Sequence, residues 1–340
     1  MSLQIYILRR AAFLIPVCVG VSIITFVLSH VIPGDPARLA SGLEAHEEQV
    51  QALRMELGLD QSIPVQYGMY VSRLVQGDLG VSIINHRPIW DNLKIFFPAT
   101  LELSLASLFL SLLVGIPLGV LSALYKDAMW DHLSRVGALL GIAFPVFWVG
   151  IVLLLVFYYK LDWFPSGGRV DTHLVLREPV PTMTGLLTMD ALLARNWLGL
   201  GSALWHLTLP AISLSLSTLA RIARMTRTAM VEVLNEPYIT TARSMGLRER
   251  RVLYAHALRN AMIPTTTIVG ISFGYLLGGS VLVETIFAWP GLGKYAFESI
   301  IYMDFPAIMG VTLLATLVFL STNLIVDICY MVLDPRIRYE

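Results

Sequence analysis

Six apolar stretches, each long enough to cross a lipid bilayer as a helix, constrain the fold of this chain more than any other feature. A transmembrane helix needs about 20 mostly apolar residues. The six stretches cover 11–32, 99–124, 133–161, 204–223, 261–283 and 307–333. Interior prolines such as Pro145 and Pro210 do not exclude them, because neighbouring helices can pair the freed backbone groups. Since no alternating barrel-type pattern recurs, the sequence predicts an all-α integral membrane protein with six transmembrane helices.

The composition agrees with a membrane location. Charged residues make up 14% of the chain and apolar residues 56%, whereas soluble domains carry about 25% charged residues. A water-facing surface with so few charges would expose large apolar patches. The 24 basic and 24 acidic residues cancel, so no overall field attracts nucleic acid. We expect a lipid bilayer around the protein and no nucleic-acid partner.

The basic residues of the loops predict the orientation, because cytoplasmic loops of membrane proteins are enriched in lysine and arginine. With the N-terminus inside, 14 of the 24 basic residues lie on the cytoplasmic side. Both termini are therefore predicted to be cytoplasmic, with 1–10 as the N-terminal segment and 11–32 as an uncleaved first helix.

The segments predicted outside are long enough to hold structure of their own. Residues 33–98 are predicted as an extracytoplasmic helical subdomain with a helix at 44–57, a second helix opening at Pro64 and a short amphipathic piece at 88–97. A second outside loop, 162–203, lacks clear periodicity. The remaining chain, 99–340, is predicted as the transmembrane domain.

The cytoplasmic loop 224–262 departs from a plain solvated linker. Small residues end at Ala242, and Gly246 follows four positions later. Positions i and i+4 share a face of a helix, so the two residues predict a low-relief patch that another chain can approach closely. The alternative is a basic loop that only follows the cytoplasmic enrichment in arginine.

Several motifs together resemble the dipeptide, oligopeptide and nickel branch of ATP-binding-cassette (ABC) importer permeases, in particular its dipeptide permease B type. The segment TTARSMGL at 240–247, followed by HALRNAMIP, is similar to the EAA loop of that family, with Thr240 in place of the common Glu. The other motifs are HVIPGDP at 30–36, FPATLEL at 97–103, ETIFAWPGLG at 284–293 and DPRIR at 334–338. The resemblance covers essentially the whole chain.

The resemblance implies a type I ABC importer permease (MetI-like) fold that translocates dipeptides, oligopeptides or related small solutes across the cytoplasmic (inner) membrane. It also implies a second homologous permease subunit, two ATP-binding subunits and an extracytoplasmic solute-binding protein as partners. ATP-driven closure of the ATPases would push two loop helices together and open the spans outward. The implied ATPase-coupling residues are Thr240, Thr241, Ala242, Arg243, Gly246 and Leu247.

The chain lacks a phosphate-binding loop of the G-x-x-x-x-G-K-[ST] type. Lys294 follows Gly293 but precedes Tyr295, which does not fit the pattern. We therefore expect no ATP hydrolysis by this chain, no cofactor of its own and ATP bound by the partner subunits. No residue grouping in the sequence suggests a catalytic or metal site.

Three acidic residues lie in or at the ends of the apolar stretches, where a charge facing lipid is costly. Asp327 is predicted to form a structural ion pair or hydrogen bond. Glu284 opens an outside segment and is a candidate for the pathway or its gate. The other candidates in that segment are Trp289, Pro290 and Gly291. Glu102 is the third acid.

Two other classes of protein stay open at this point. A secondary transporter or channel driven by an ion gradient would need buried ionisable relays and internal pseudo-symmetry, of which the sequence shows little. A membrane enzyme would need a motif such as H-E-x-x-H, which does not occur, or G-x-S-x-G. The latter occurs once, as GISFG at 270–274 inside the fifth apolar stretch, where no strand-to-helix turn would present the serine. Within the resembling family, nickel complexes, glutathione and opine-like compounds are alternative cargos.

Overall fold

The structure is a computed structural model and describes residues 3–31, 36–41, 45–56 and 58–333. These residues are mostly helical; their only β pairing is an isolated bridge between Val81 and Pro88. The helices are α1 (Leu3–Val31), α2 (Pro36–Ser41), α3 (Glu47–Glu56), α4 (Ile63–Val75), α5 (Ile89–Leu124), α6 (Met129–Ala143), α7 (Val146–Leu153, continued by a π-helical turn Leu154–Lys160), α8 (Thr172–Arg177), α9 (Leu187–Leu193), α10 (Trp197–Leu234), α11 (Pro237–Ser244), α12 (Glu249–Arg251, continued by a π-helical turn Val252–Leu258), α13 (Arg259–Gly279), α14 (Val281–Ile286), α15 (Leu292–Ile301) and α16 (Phe305–Leu333).

Five of the described helices are long and apolar enough to cross a membrane, and helices α6 and α7 make a sixth span if the bent pair is counted as one. The five segments are Ala12–Ser29, Ile89–Leu124, Trp197–Leu234, Glu249–Gly278 and Phe305–Val326. Each predicted apolar stretch coincides with one of these spans. The predicted all-α membrane fold is confirmed.

The third span is broken where the sequence predicts one continuous stretch. Helices α6 and α7 meet at an angle of 100°. Phe144 has ψ 130° and Pro145 has ψ 134°, so both are extended. A proline disfavours the helical conformation of the residue before it, which explains the end of α6 at Ala143. Pro210, by contrast, lies inside the uninterrupted helix α10.

The amphipathic piece predicted at 88–97 is not a separate helix. It forms the first turns of α5, which begins at Ile89 and runs through to Leu124. Ile89 and Leu93 are buried in a core with Leu292 and Val311. This packing keeps the segment helical and continuous with the second span.

The two segments predicted to lie outside contain more helix than the sequence pattern indicates. Helices α3 and α4 match the two predicted helices, and Pro64 lies in the first turn of α4. The ends of the first prediction, Glu44 and Leu57, lie outside the described residues. The segment 162–203, predicted without regular structure, holds the short helices α8 and α9 and the start of α10.

Other predictions fall partly outside the described residues. The motif at 30–36 includes four such positions, 32–35, and the motif at 334–338 lies wholly beyond them. The side chain of Asp327 is also not described. The ion pair predicted for Asp327 stays a prediction.

The chain forms two compact units, each with its own core. Of the described residues, the first comprises 100–289 and 321–333, and the second comprises those between 3 and 99 together with 290–320. In the first, helices α5 and α10 approach so closely that a Cβ added at Gly119 would lie 2.6 Å from the Ala223 carbonyl oxygen. Small residues allow such close backbone approach between membrane helices. The predicted subdomain boundaries at 33–98 and 99–340 stay predictions.

Candidate functional site

The candidate coupling segment, residues 237–249, is a short helix followed by a tight turn. Helix α11 begins at Pro237 and ends at Ser244. Gly246 then adopts φ 77°, and its N–H donates to the Arg243 carbonyl at 3.0 Å, while the Leu247 N–H donates to the Ala242 carbonyl at 3.3 Å. A left-handed glycine is a common end of a helix because it carries no Cβ.

Ala242 and Gly246 do not share a helix face, so this geometric prediction is wrong. The helix ends before Gly246, and the i, i+4 rule no longer applies. Ala242 is only 8% exposed and packs in the protein's own core with Ile239 and Val252. Gly246 is exposed, and a Cβ added there would meet no atom within 4 Å. The outer surface of this segment is therefore the exposed side of the helix and turn. Its exposed residues include Thr240, Thr241, Arg243, Ser244, Met245 and Gly246.

An ion pair fastens the turn of the coupling segment. The Arg243 Nη2 donates to Glu249 Oε1 at 2.7 Å, and both side chains are about half exposed. The hydrogen bond to Glu249 raises the pKa of Arg243. Between the two residues, Leu247 packs against the core that contains Ile239. The pair thus ties the end of α11 to the start of α12.

Helix α11 rests on the ends of spanning helices. Its residue Ile239 is fully buried and shares a core with Val120 of α5, Met230 of α10 and Val252 of the following turn. Ile239, Met230 and Val252 all have no exposed surface. Since close-packed interiors transmit strain, a displacement of α11 passes directly to α5 and α10.

A buried carboxylate cluster joins three helices at the same end of the first unit. Asp131 of α6 is fully buried and accepts hydrogen bonds from Arg227 Nε at 2.6 Å and Arg227 Nη2 at 2.7 Å. It also accepts from Ser122 Oγ at 2.6 Å and from the Asp127 N–H at 3.0 Å. We call these four residues the Asp131 cluster. The cluster fixes α10 to α6 and to the end of α5.

The sequence pattern alone does not reveal the Asp131 cluster. Arg227 counts there only among the cytoplasmic basic residues, and Asp131 precedes the third apolar stretch by two positions. A signal was present, because an acid and an arginine both lie where predicted helices leave the membrane. The partners are 96 positions apart, and their pairing cannot be deduced from a single sequence.

The candidate gate residue Glu284 is fully buried. Its carboxylate accepts from Thr100 Oγ1 at 2.6 Å and from Ser280 Oγ at 2.8 Å. The Glu284 backbone carbonyl accepts from the Trp289 N–H at 2.8 Å. These contacts make Glu284 an anchor of the turn that follows α14.

The other candidate gate residues lie in that turn and after it. Trp289 is 1% exposed, and its ring is 5.7 Å from Arg169 Cζ. Pro290 and Gly291 begin the chain segment of the second unit, where Gly291 precedes α15. The assignment of all four residues to a pathway stays a prediction.

Glu102 at the start of the second span is also paired inside the first unit. Its carboxylate accepts from Arg169 Nη2 at 2.5 Å and from both the N–H and the hydroxyl of Thr188, at 2.6 and 2.7 Å. Arg169 donates further to the Gly185 carbonyl at 3.0 Å. Because Glu102 is buried and accepts hydrogen bonds from Arg169 and Thr188, it links α5 to the segment that contains α9. Within the described ranges, no group of three or more His, Cys, Asp or Glu side chains is placed to hold a metal ion.

A set of long apolar helices, with a short exposed helix seated on the ends of two of them, defines the membrane component of a transporter. The chain belongs to the family of binding-protein-dependent transport system inner membrane components, whose profile matches residues 115–339. The N-terminal profile of the same kind of component matches residues 3–105. The predicted ABC permease family is thereby confirmed.

Relatives match over almost the full length. The chain is 47% identical to the probable D,D-dipeptide transport system permease protein DdpB of Escherichia coli, with 97% of each chain covered. It is 40% identical to the dipeptide transport system permease protein DppB of Alkalihalophilus pseudofirmus, with 98% and 99% covered. It is 38% identical to the glutathione transport system permease protein GsiC of Escherichia coli, with 98% and 99% covered.

A solved structure supports the fold. The chain matches the MetNI methionine ABC transporter with a TM-score of 0.50 and 16% identity, covering 69% of this chain and 93% of that one. At this identity the likeness concerns the fold alone. It agrees with the MetI-like arrangement that the sequence motifs imply.

Proposed function

We propose that this permease component carries dipeptides or oligopeptides across the cytoplasmic membrane as part of an ATP-driven importer. The observation that carries the proposal is the similarity to dipeptide permeases along almost the entire chain. Glutathione is the second candidate cargo, because a glutathione permease is similar over the same length. Both cargos are small, peptide-like and carry free carboxylates.

Uptake by the reconstituted importer tests the cargo and the energy source together. The chain is placed in proteoliposomes with its partner subunits, and entry of a labelled dipeptide is compared with entry of labelled glutathione. ATP inside is expected to drive dipeptide entry, and a proton or sodium gradient without ATP is not. Entry that follows the ion gradient would favour a secondary transporter, and preferred entry of glutathione would replace the proposed cargo.

The proposed importer contains a second homologous permease subunit, two ATP-binding subunits and an extracytoplasmic solute-binding protein. ATP is bound by the partner subunits, and this chain neither hydrolyses it nor holds a cofactor. The absence of a phosphate-binding loop in the sequence supports this division. The isolated chain is expected to release no phosphate from ATP. Hydrolysis that survives removal of contaminating ATPases would contradict the division.

In the proposed topology both termini lie in the cytoplasm, with the coupling segment on the same side. The basic residues of the loops support this orientation. Single cysteines introduced by Ala45→Cys and Arg248→Cys, in a chain without Cys18 and Cys329, report it by labelling of intact cells. Ala45→Cys is expected to react from outside and Arg248→Cys only after the membrane is opened. The reverse pattern would invert the topology.

The exposed side of α11 and the Gly246 turn is the proposed docking surface for an ATPase subunit. Thr240, Thr241 and Arg243 offer polar contacts there, and Leu247 fixes the turn on the core. Ala242 acts from inside by seating α11 on the spanning helices. Closure of the ATPases would thus move α5 and α10 through the shared core.

Bulk at Gly246 tests this docking surface. Any side chain at φ 77° strains the turn, so Gly246→Ala is the matched control for Gly246→Trp. The protein itself leaves room for the side chain, since nothing lies within 4 Å of the added Cβ. Overpacking a close contact costs about 1–3 kcal/mol, which weakens docking by roughly one to two orders of magnitude. Relative to Gly246→Ala, Gly246→Trp is expected to lose copurifying ATPase subunits and uptake. Equal retention in both variants would reject the docking surface.

The segment from Glu284 to Gly291 is the proposed outer part of the pathway or its gate. Glu284 acts in it as a positioning residue, because its carboxylate is buried and holds the turn that carries Trp289. Glu284→Gln keeps one acceptor oxygen but removes the charge. It is expected to slow uptake several-fold while the amount of assembled importer stays within about twofold. Unchanged uptake would remove this segment from the proposed pathway.

A further inference from the structure

Arg221 of helix α10 is a cation without an acidic partner in the part of the chain that the structure describes. Its Nη2 donates to Thr218 Oγ1 at 3.2 Å, and its Cζ lies 5.8 Å from the centre of the Tyr275 ring on α13. The Nε is buried and has no hydrogen-bond partner. The guanidinium is therefore held in place on one side and retains unused donors.

Arg221 and Tyr275 lie on two packed helices, α10 and α13, each within a predicted apolar stretch. Arg221 lies 13 residues before the end of α10 at Leu234, and Tyr275 lies 16 residues after the start of α13 at Arg259. At a rise of about 1.5 Å per residue, these separations correspond to about 20 and 24 Å along the helices. The hydrocarbon core of a bilayer is about 30 Å thick. Helix α10, with 38 residues, is longer than this core, so its end at Leu234 is not the membrane boundary. Arg221 lies near the end of the predicted apolar stretch 204–223, and Tyr275 lies inside the stretch 261–283.

The surroundings of Arg221 do not suit contact with lipid. A charged side chain inside a membrane faces the protein interior or a water-filled cavity, since exposure to lipid is costly. Arg221 is half-buried, Ser217 one turn away is partly exposed, and Tyr275 is 64% exposed. A tyrosine and a serine beside a guanidinium form a polar surface in the middle of apolar helices. Such a surface is suited to a water-filled transport pathway.

We propose that Arg221 binds the C-terminal carboxylate of the cargo within the transport pathway, with Tyr275 supporting the guanidinium. This inference rests on the proposed peptide cargo. The planar guanidinium fork matches a carboxylate with two parallel hydrogen bonds. Because Nε is buried, Nη1 and the second hydrogen of Nη2 would donate them. The tyrosine ring stabilises the cation while the pathway is empty. A single binding point also suits transport, because the cargo must leave as well as enter.

The test compares a peptide acid with the same peptide carrying a C-terminal amide. Both are first shown by equilibrium binding to load the solute-binding protein, and initial uptake is then measured in the full importer in proteoliposomes. Arg221→Gln is expected to slow uptake of the acid about tenfold or more and to leave uptake of the amide within about twofold. A tenfold change corresponds to about 1.4 kcal/mol. Arg224→Gln removes the same charge three residues further along α10 and is expected to change both cargos by the same factor.

Two further measurements keep the result decisive. Copurification of the partner subunits shows whether Arg221→Gln assembles. If it does not, Arg221→Lys, which keeps the charge but loses the fork, is expected to slow the acid by a smaller factor and spare the amide. Equal loss of both cargos in a variant that assembles would mean that Arg221 contacts the second permease or shapes the helix, and would overturn the inference. Equal uptake of the acid by variant and wild type would also overturn it. A wild-type importer that takes up no peptide would instead reject the proposed function.

Discussion

Arg221 and Arg227 lie six residues apart on helix α10, yet their surroundings are opposite. Arg227 donates two hydrogen bonds to the fully buried carboxylate of Asp131. Arg221 has no carboxylate partner anywhere in the described ranges, and its closest polar and aromatic contacts are Thr218 and Tyr275. The Asp131 carboxylate makes Arg227 part of the helix packing. Arg221 lacks such a carboxylate among the described residues, which leaves its charge available for a ligand.

The Asp131 cluster holds helices together because one buried carboxylate accepts hydrogen bonds from side chains of two other helices. Ser122 comes from α5, Asp131 from α6 and Arg227 from α10, so one carboxylate joins three helices. Removing one partner of a buried ion pair typically costs about 3–5 kcal/mol, since the other charge stays buried without compensation. Among the described residues, substitution of Arg221 leaves no buried carboxylate without its cation. It should therefore lower the free energy of unfolding much less than substitution in the Asp131 cluster.

The largest effect is expected from Asp131→Asn, which leaves Arg227 without its anion. The free energy of unfolding in detergent micelles should fall by about 3–5 kcal/mol. Asp162→Asn is the matched control, because Asp162 is exposed and has φ 51°, a conformation that Asn also tolerates. It should change the free energy by no more than about 0.5 kcal/mol. Equal stability of Asp131→Asn and wild type would show that the Asp131 cluster does not hold the helices.

A smaller loss is expected from Gly119→Ala, which disturbs the contact of α5 and α10 beside Arg227. The new Cβ would lie 2.6 Å from the Ala223 carbonyl oxygen and 3.1 Å from the Arg227 backbone nitrogen. Overpacking should cost about 1–3 kcal/mol in the same unfolding measurement. Gly137→Ala in α6, where the added Cβ meets nothing within 4 Å, should instead gain about 0.5–1 kcal/mol. The same sign for both variants would contradict the close approach of the two helices.

Sequence reasoning predicts the spans because their signal is local. Some 20 consecutive apolar residues are sufficient to define a membrane helix, and each predicted stretch meets a helix in the structure. Where tertiary contacts decide, the prediction is incomplete. Pro145 breaks its span, whereas Pro210 lies within an intact helix, and nothing in the two local sequences separates these outcomes.

The candidate sites show the same limit. Spacing identifies Ala242 and Gly246 as a pair but not the positive φ of Gly246 that ends the helix between them. The single sequence also does not separate the role of Arg221 from that of Arg227 on α10. Only the fold shows that Asp131 contacts Arg227 and that, among the residues the structure describes, no acid contacts Arg221.

The comparison predicts a clear difference between two identical substitutions on one helix. Arg227→Gln should cost about 3–5 kcal/mol, because it leaves the buried Asp131 carboxylate with only the more distant Arg135 as a cation; Arg135 Nε lies 3.8 Å from Asp131 Oδ1. Arg221→Gln loses a cation–π contact and one hydrogen bond to a hydroxyl, so it should cost about 0.5–1 kcal/mol. Unfolding of both variants in detergent gives the two values directly. A cost for Arg221→Gln as large as that for Arg227→Gln would make Arg221 a structural residue and remove the basis of its proposed role in cargo binding.

The smallest expected effect concerns the pairing of Arg221 with Tyr275, and a double-mutant cycle isolates it. Tyr275→Leu removes the ring, and because Tyr275 is 64% exposed, the substitution itself disturbs little packing. The coupling free energy between Tyr275→Leu and Arg221→Gln should be about 0.5–1 kcal/mol, the range of an exposed cation–π contact. Tyr275→Phe keeps the ring face and should retain the coupling, since the attraction arises from the ring and not from the hydroxyl. If Tyr275→Phe loses the coupling as fully as Tyr275→Leu does, the hydroxyl and not the ring supports the guanidinium. Arg221 would then be positioned by a hydrogen-bonded contact instead of by the aromatic face.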